Sequence, residues 1–284
     1  MTTIFRWLGT SVGLLACLGV LAACSSQAVD TPTADAGAPT ETAETTAPVP
    51  VAPPAAPAQT DTAAQNTYAN LPRLNGEAIV EMTVRDRGVV TMTLMGEYAP
   101  ITAGNFVDLA SQQFYDGLPF HRVVRDPQPF VVQGGDPQGR DPNFPAARLG
   151  TGGYVDPATG VERNIPLEIL PADPDAKEDE APDLRTIPYG QTFKMANLSS
   201  AVPQLNHIRR AVAMARSQFP NSASSQFYIA LADLSFLDGD YAVFGYVTDG
   251  MDVVDQIQQG DRIESIKVIS GLENLEKPDS GTSE

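Results

Sequence analysis

The stretch from Phe120 to Asp136 constrains the fold more than any other part of the chain. It reads Phe-His-Arg-Val-Val, a short proline-rich insert, then Phe-Val-Val-Gln-Gly-Gly-Asp. The two β-branched runs, Val123-Val124 and Val131-Val132, predict strand segments. Asp126-Pro127-Gln128-Pro129 between them predicts a turn, because each proline lacks an N–H and biases its predecessor away from helix. Gly134-Gly135 lets the backbone pass close to a neighbour. Arg122 and Gln133 therefore fall at the ends of neighbouring strands, beside Phe130 and Val131. That is an apolar floor with two hydrogen-bonding groups aimed over it. Taken alone, the stretch fits a plain strand pair with surface polar residues equally well.

The pattern recurs downstream. Ala213-Met-Ala-Arg-Ser-Gln-Phe-Pro-Asn-Ser-Ala-Ser-Ser-Gln-Phe-Tyr-Ile229 reads as strand, polar loop, strand, and Phe236-Leu-Asp-Gly-Asp-Tyr-Ala-Val-Phe-Gly245 follows at short spacing. Upstream, Ala78–Val84 and Val89–Leu94 predict strands joined by a hairpin turn at Arg85-Asp86-Arg87-Gly88. Ala103, Phe106, Val107 and Ala110 fall at i, i+3, i+4 and i+7, which predicts an amphipathic helix entered just after Pro100. Residues 137–210 read as loop, and the acidic part from Glu168 to Asp183 reads as a solvated surface. Further strands are expected at 211–216, 226–231, 241–247 and 263–269. A second helix is expected from Asp249 as N-cap, with Met251, Val254 and Ile257 on one face, to Gly260. After Gly271 the chain is polar and is expected to fray. Many strands with two helices argue for an all-β class.

The 284 residues carry 18 Lys and Arg against 35 Asp and Glu, a net charge of −17, which disfavours a nucleic-acid partner. The two cysteines, Cys17 and Cys24, both lie at the N-terminus, so the folded part has no disulfide framework. With two histidines far apart, no zinc-type ligand spacing exists, and neither metal nor cofactor is expected. Arg6 and the apolar run Leu8–Leu21 predict a signal segment, too short for a comfortable membrane span. It ends Leu21-Ala-Ala-Cys24, which resembles the bacterial lipobox and implies lipidation of Cys24. The Ala-, Thr- and Pro-rich segment that follows cannot bury enough surface to fold. The expected organisation is a lipoprotein signal at 1–24, a disordered linker at 25–72, a folded domain at 73–272 and a polar tail at 273–284. This places the domain in the cell envelope, lipid-anchored on the extracytoplasmic side, at the periplasmic face or the cell surface.

With Gly150-Thr-Gly-Gly153, the three motifs resemble the cyclophilin family of peptidyl-prolyl isomerases, in the same order, over Glu77 to Ser270. The resemblance implies a closed eight-stranded antiparallel barrel capped by two α-helices. Residue by residue, Arg122 resembles the family's catalytic arginine and Gln133 the glutamine that bonds the substrate backbone. His121 matches a third position of the catalytic set. Phe130, Val131, Phe236 and Leu237 resemble the wall of the proline pocket. Ala215, Arg216, Gln226, Tyr228 and Tyr241 match groove positions, with Gln226 read as stiffening the groove, and Gly150 matches the glycine where the chain skirts it. The sequence departs from the family in three places. Arg125–Pro129 lengthens the loop before Phe130. Arg216 replaces an asparagine. Phe236 stands where many eukaryotic members have tryptophan, removing an indole N–H that helps bind cyclosporin in the family.

Isomerising an X-Pro bond means twisting a partial double bond over a barrier of about 18–20 kcal/mol. A donor aimed at the prolyl nitrogen stabilises the twisted form, in which that nitrogen is basic, more than either planar form. Arg122 suits this role, because its fork of five donors stays charged. The expected activity is isomerisation of X-Pro bonds in exported proteins as they fold, with proline-containing segments as partners and the domain a monomer. The competing reading is a non-catalytic proline-binding chaperone or scaffold, which has no need of a donor at that nitrogen.

Overall fold

The computed structural model describes residues 68–177 and 180–278. The signal segment, linker residues 25–67 and the end of the tail lie outside the described residues, so the lipobox and most of the linker are not seen. The main strands are β2 (Glu77–Val84), β3 (Gly88–Met95), β4 (Arg122–Val124), β5 (Val131–Gly134), β6 (Ala211–Met214), β7 (Phe227–Ala230), β8 (Val243–Asp249) and β9 (Ile263–Ser270). These eight form one antiparallel sheet in the order β4-β5-β7-β6-β8-β3-β2-β9. Two short strands, β1 (Arg73–Leu74) and β10 (Leu275–Glu276), pair separately. The described residues also include helices α1 (Pro100–Ser111) and α2 (Met251–Gln256) and several short 3-10 turns.

Period-two alternation builds the hairpin end of the sheet. Ala78, Val80, Met82 and Val84 of β2 and Val90, Met92 and Leu94 of β3 all point into the core. The turn between them needs a left-handed residue, supplied by Asp86 at φ 60°. Phe106 on α1 sits in the middle of the core. Its ring is edge-on to Phe227 at 5.2 Å and packs against Phe244 at 5.3 Å and Tyr115 at 4.9 Å.

The sheet is not a closed barrel. β4 and β9 are its two edges, and among the described residues the segments that precede them meet at the bridge Pro119–Arg262. Flanking bonds run from Phe120 N to Asp261 O at 2.8 Å and from Ile263 N to Leu118 O at 2.9 Å. The pairing does not extend into β4 itself, which is three residues long. The longer β9 packs against α1 instead of meeting another strand.

Three further expectations change. Helix α1 is buried from Pro100 to Ala110, not amphipathic, because it is covered on its second side. A Cβ at Gly104 would come within 2.6 Å of the Arg73 backbone, and the buried Glu168 carboxylate accepts from the Ile101 and Thr102 N–H groups at 3.1 and 2.7 Å. Glu168 is thus part of the packing and not of the solvated acidic surface, whereas Asp173–Lys177 are exposed. The N-cap of α2 is Gly250, at φ 83°, with Asp249 still in β8. The segment after Gly271 forms a 3-10 turn and β10, and Lys277 pairs with Asp108 at 2.8 Å. Between Gly134 and Ala211 the described chain has only 3-10 turns and isolated bridges.

Candidate active site

The site is a cross-strand row. Arg122 lies directly opposite Gln133, Gln133 opposite Tyr228, and Tyr228 opposite Ala213. Directly opposed residues share a sheet face, so four strands present these side chains on one side. The alternate residues Val132, Val212, Met214, Phe227 and Ile229 point the other way, into the main core. On the site face a second apolar cluster forms from Val131, Ala211, Ala213, Tyr228, Ala230 and Val243, with Phe130, Leu237 and Tyr241 packed against it. The groove is therefore on the outer side of the sheet.

A cavity of about 210 Å³ opens there. Arg122, Gln133, Phe130 and Val131 line it, and so do Ala215, Arg216, Tyr228, Leu237 and Tyr241. Phe236 does not line it. It stands 69 % exposed on the rim and stacks on Phe130 at 6.1 Å. Gln226 and Gly150 line a neighbouring cavity of about 360 Å³, which also touches Gln133, Ala215 and Arg216.

A polarised chain of hydrogen bonds fixes the polar groups. The Arg122 guanidinium, 5.3 Å from the Phe130 ring centroid, donates to Gln133 Oε1 at 3.2 Å. Gln133 Nε2 donates to Gln226 Oε1 at 3.1 Å, and Gln226 Nε2 donates to the Gly152 carbonyl at 2.8 Å. The Gly150–Gly152 backbone is itself held by the buried Asp136 carboxylate, which accepts from Gly150 N at 2.6 Å, Thr151 N at 3.2 Å and Gly152 N at 3.3 Å. Gly150 adopts φ 98° and passes the His121 ring so closely that a Cβ would meet Nε2 at 3.4 Å.

His121 is set back from the cavity. Both ring nitrogens are buried without a hydrogen-bond partner. Desolvation holds its pKa below the ordinary histidine value against the pull of Asp136, and its ring packs under Gly150. The Arg216 side chain folds onto the rim, with Nε and Nη2 donating to Asp240 O at 2.9 and 2.7 Å and the guanidinium 4.6 Å from the Tyr241 ring centroid. The inserted Arg125 donates to the carbonyls of Val254 and Asp255 at the end of α2, at 3.1 and 2.9 Å. Two residues of this region escaped the sequence reading. His207 and Asp238 hydrogen-bond beneath Tyr228, but they lie 31 residues apart and no local pattern joins them. Among the described residues no group of three or more His, Cys, Asp or Glu is placed to hold a metal.

The motif order, the outer-face groove and the arginine over its apolar floor agree with one family. The family model for cyclophilin-type peptidyl-prolyl cis-trans isomerases matches residues 79–275, and the chain belongs to that family. A Synechocystis protein named for the thylakoid lumen and for peptidyl-prolyl cis-trans isomerase activity is 42 % identical over 224 residues, covering 75 % of this chain and 52 % of its own. The chloroplastic peptidyl-prolyl cis-trans isomerase CYP38 of Arabidopsis thaliana is 40 % identical over 228 residues, covering 74 % of this chain and 46 % of its own. The chain thus spans about half the length of these two relatives. A peptidyl-prolyl cis-trans isomerase of Helicobacter pylori is 32 % identical over 183 residues, covering 64 % of this chain and 82 % of its own.

Proposed function

We propose that the domain is a peptidyl-prolyl cis-trans isomerase acting on X-Pro bonds of exported proteins as they fold. The observation that carries this is Arg122, a guanidinium at the mouth of an apolar cavity walled by Phe130, Val131 and Leu237 and floored by Tyr228. The prolyl ring enters the apolar cavity while the preceding residue turns. Gln133, held by Gln226, bonds the substrate backbone, and Arg122 spends one of its five donors on Gln133 and turns another to the prolyl nitrogen as amide resonance is lost. That donor favours catalysis over a purely binding module, because only the twisted state rewards it. The decisive measurement is isomerisation of a short Ala-Pro peptide by residues 25–284, with Arg122→Ala as control. No acceleration by the wild type leaves the binding module as the function.

The domain works as a monomer on an N-terminal tether in the cell envelope. Leu21-Ala-Ala-Cys24 supports diacylation of Cys24 after cleavage at Ala23, since one chain binds membranes marginally and two anchor stably. The thylakoid-lumen and chloroplast names of the Synechocystis and Arabidopsis relatives support a compartment beyond the cytoplasmic side. Cys24→Ser is expected to release the protein from the membrane fraction or to leave the precursor uncleaved. A wholly soluble wild type starting at another residue would exclude the anchor.

A further inference from the structure

Behind the Tyr228 floor lies a chain of polar side chains, buried at His207 and partly exposed at Asp238, that the isomerase chemistry does not use. Asp238 Oδ1 accepts from His207 Nδ1 at 2.8 Å and from the His207 backbone N–H at 2.8 Å. Across the ring, His207 Nε2 lies 2.9 Å from the Tyr228 hydroxyl. The His207 side chain is 1 % exposed, and its ring lies within 16° of parallel to that of Tyr228. A carboxylate at Nδ1 keeps the proton there, so the neutral imidazole presents a lone pair at Nε2. Tyr228 is therefore the donor. Its hydroxyl hydrogen points at His207.

The same residue reaches the opposite wall. Asp238 follows Leu237 in sequence, and Leu234 N donates to the His207 carbonyl at 2.7 Å while Leu237 N donates to Leu234 O at 2.9 Å. The segment that carries His207 is fixed in turn. Asn206 N donates to the Tyr246 hydroxyl at 3.0 Å, and Arg209 N donates to Asp233 Oδ1 at 2.7 Å. His207 thus joins floor, wall and the end of the long segment 137–210 at one point.

We infer that His207 is a positioning residue of the prolyl pocket. It sets the separation of the Tyr228 floor from the Leu237 wall and keeps the Tyr228 hydroxyl hydrogen-bonded, so the long segment helps define substrate selectivity. This rests on the isomerase reading. Arg122 approaches from the β4 side and has no bond to this chain, so loss of His207 acts on binding and not on the twisting step.

The test is Leu, Asn and Gln at position 207 in residues 25–284, assayed for KM and kcat on an Ala-Pro peptide with thermal unfolding alongside. His207→Leu leaves a buried hydroxyl without a partner and is expected to raise KM about tenfold with kcat held within about twofold. His207→Gln places an amide oxygen near the Nε2 position and is expected to recover most of the KM. His207→Asn reproduces only the Nδ1 bond to Asp238 and is not expected to recover it. A folded His207→Leu protein with wild-type KM overturns the inference. Equal recovery by Asn and Gln overturns it too, because the role would then run through Asp238 alone. If His207→Leu fails to fold, the Asn and Gln pair still decides. Should the wild type bind the peptide without isomerising it, the same variants are ranked by Kd, which separates a failure of this inference from a failure of the enzyme reading.

Discussion

The two ends of the sheet use one alternation for different purposes. At the β2–β3–β9 end the strands are eight residues long, and β2 alternates buried residues with Glu77, Ile79, Glu81 and Thr83 on a wetter face. At the β4–β5–β7–β6 end the strands are three or four residues long, and β6 and β7 are buried at every position. The short strands still alternate, but both of their faces are covered: one by the core around Phe106, the other by the apolar groove cluster and the loop that carries His207. A strand covered on one face can rely on its hairpin partner. A strand covered on both faces depends on distant segments, and the cavity forms where that cover is incomplete.

Substitutions at three positions and one deletion test this contrast. Phe106→Ala removes a ring that touches Phe227 and Phe244 from below. It is expected to destabilise the domain by about 3–5 kcal/mol in urea unfolding, with catalytic efficiency per folded molecule retained. A proportionate loss of activity in the folded fraction would show that the two faces are not independent. Arg122→Ala tests the outer face in reverse. It is expected to lower kcat/KM by about 2.7–4 kcal/mol, on the order of 10²–10³-fold, while the unfolding midpoint stays put, because the side chain is exposed. Lysine, lacking the planar fork, is expected to rescue poorly. A folded Arg122→Ala protein keeping more than about a third of the wild-type efficiency would remove the arginine from the mechanism.

Asp108 offers a smaller, pH-dependent effect. Burial pushes its carboxyl up, but Lys277 and Arg163, at 2.8 and 2.7 Å, together hold it below the ordinary 3.8. A carboxyl depressed in the folded state contributes stability above its unfolded pKa and loses it as pH falls through the folded pKa. Asp108→Asn is expected to cost about 1.5–3 kcal/mol at neutral pH, and the gap between the two proteins should close as acidification carries the carboxyl through its lowered folded-state pKa. A gap independent of pH would mean that the residue acts by packing alone. The smallest effect is expected from deleting 173–183. The described part of that stretch from Asp173 to Lys177 is exposed, and kcat/KM on a short peptide should stay within a few-fold. A hundredfold loss would place the segment over the groove.

Much of the site was legible because strand alternation is local. In Phe120–Asp136 the apolar runs set the pairing, and a pairing in which Arg122 meets Gln133 leaves Val132 for the core and Val131 for the groove. His121 was legible as a neighbour of the site, yet its burial under Gly150 came from a chain segment that Asp136 holds from 14 residues away. The sequence also suggested an amphipathic α1, because the cover on its other side comes from Arg73 and from Glu168, the latter 66 residues beyond Thr102.

By itself, then, the chain determined the eight main strands, where the hairpin turns, and that an arginine and a glutamine stand over an apolar floor. Backbone sterics and side-chain period act within a few residues, so they can be read in order. Only the tertiary structure decided that the sheet stays open at β4 and β9, that the groove lies on its outer face, and that His207 bonds Tyr228 and Asp238. Those outcomes depend on which edges meet and on how buried polar groups find partners across 21 and 31 residues. A buried donor or acceptor must be satisfied by whatever the fold brings beside it, and that neighbour leaves no local signature in the sequence.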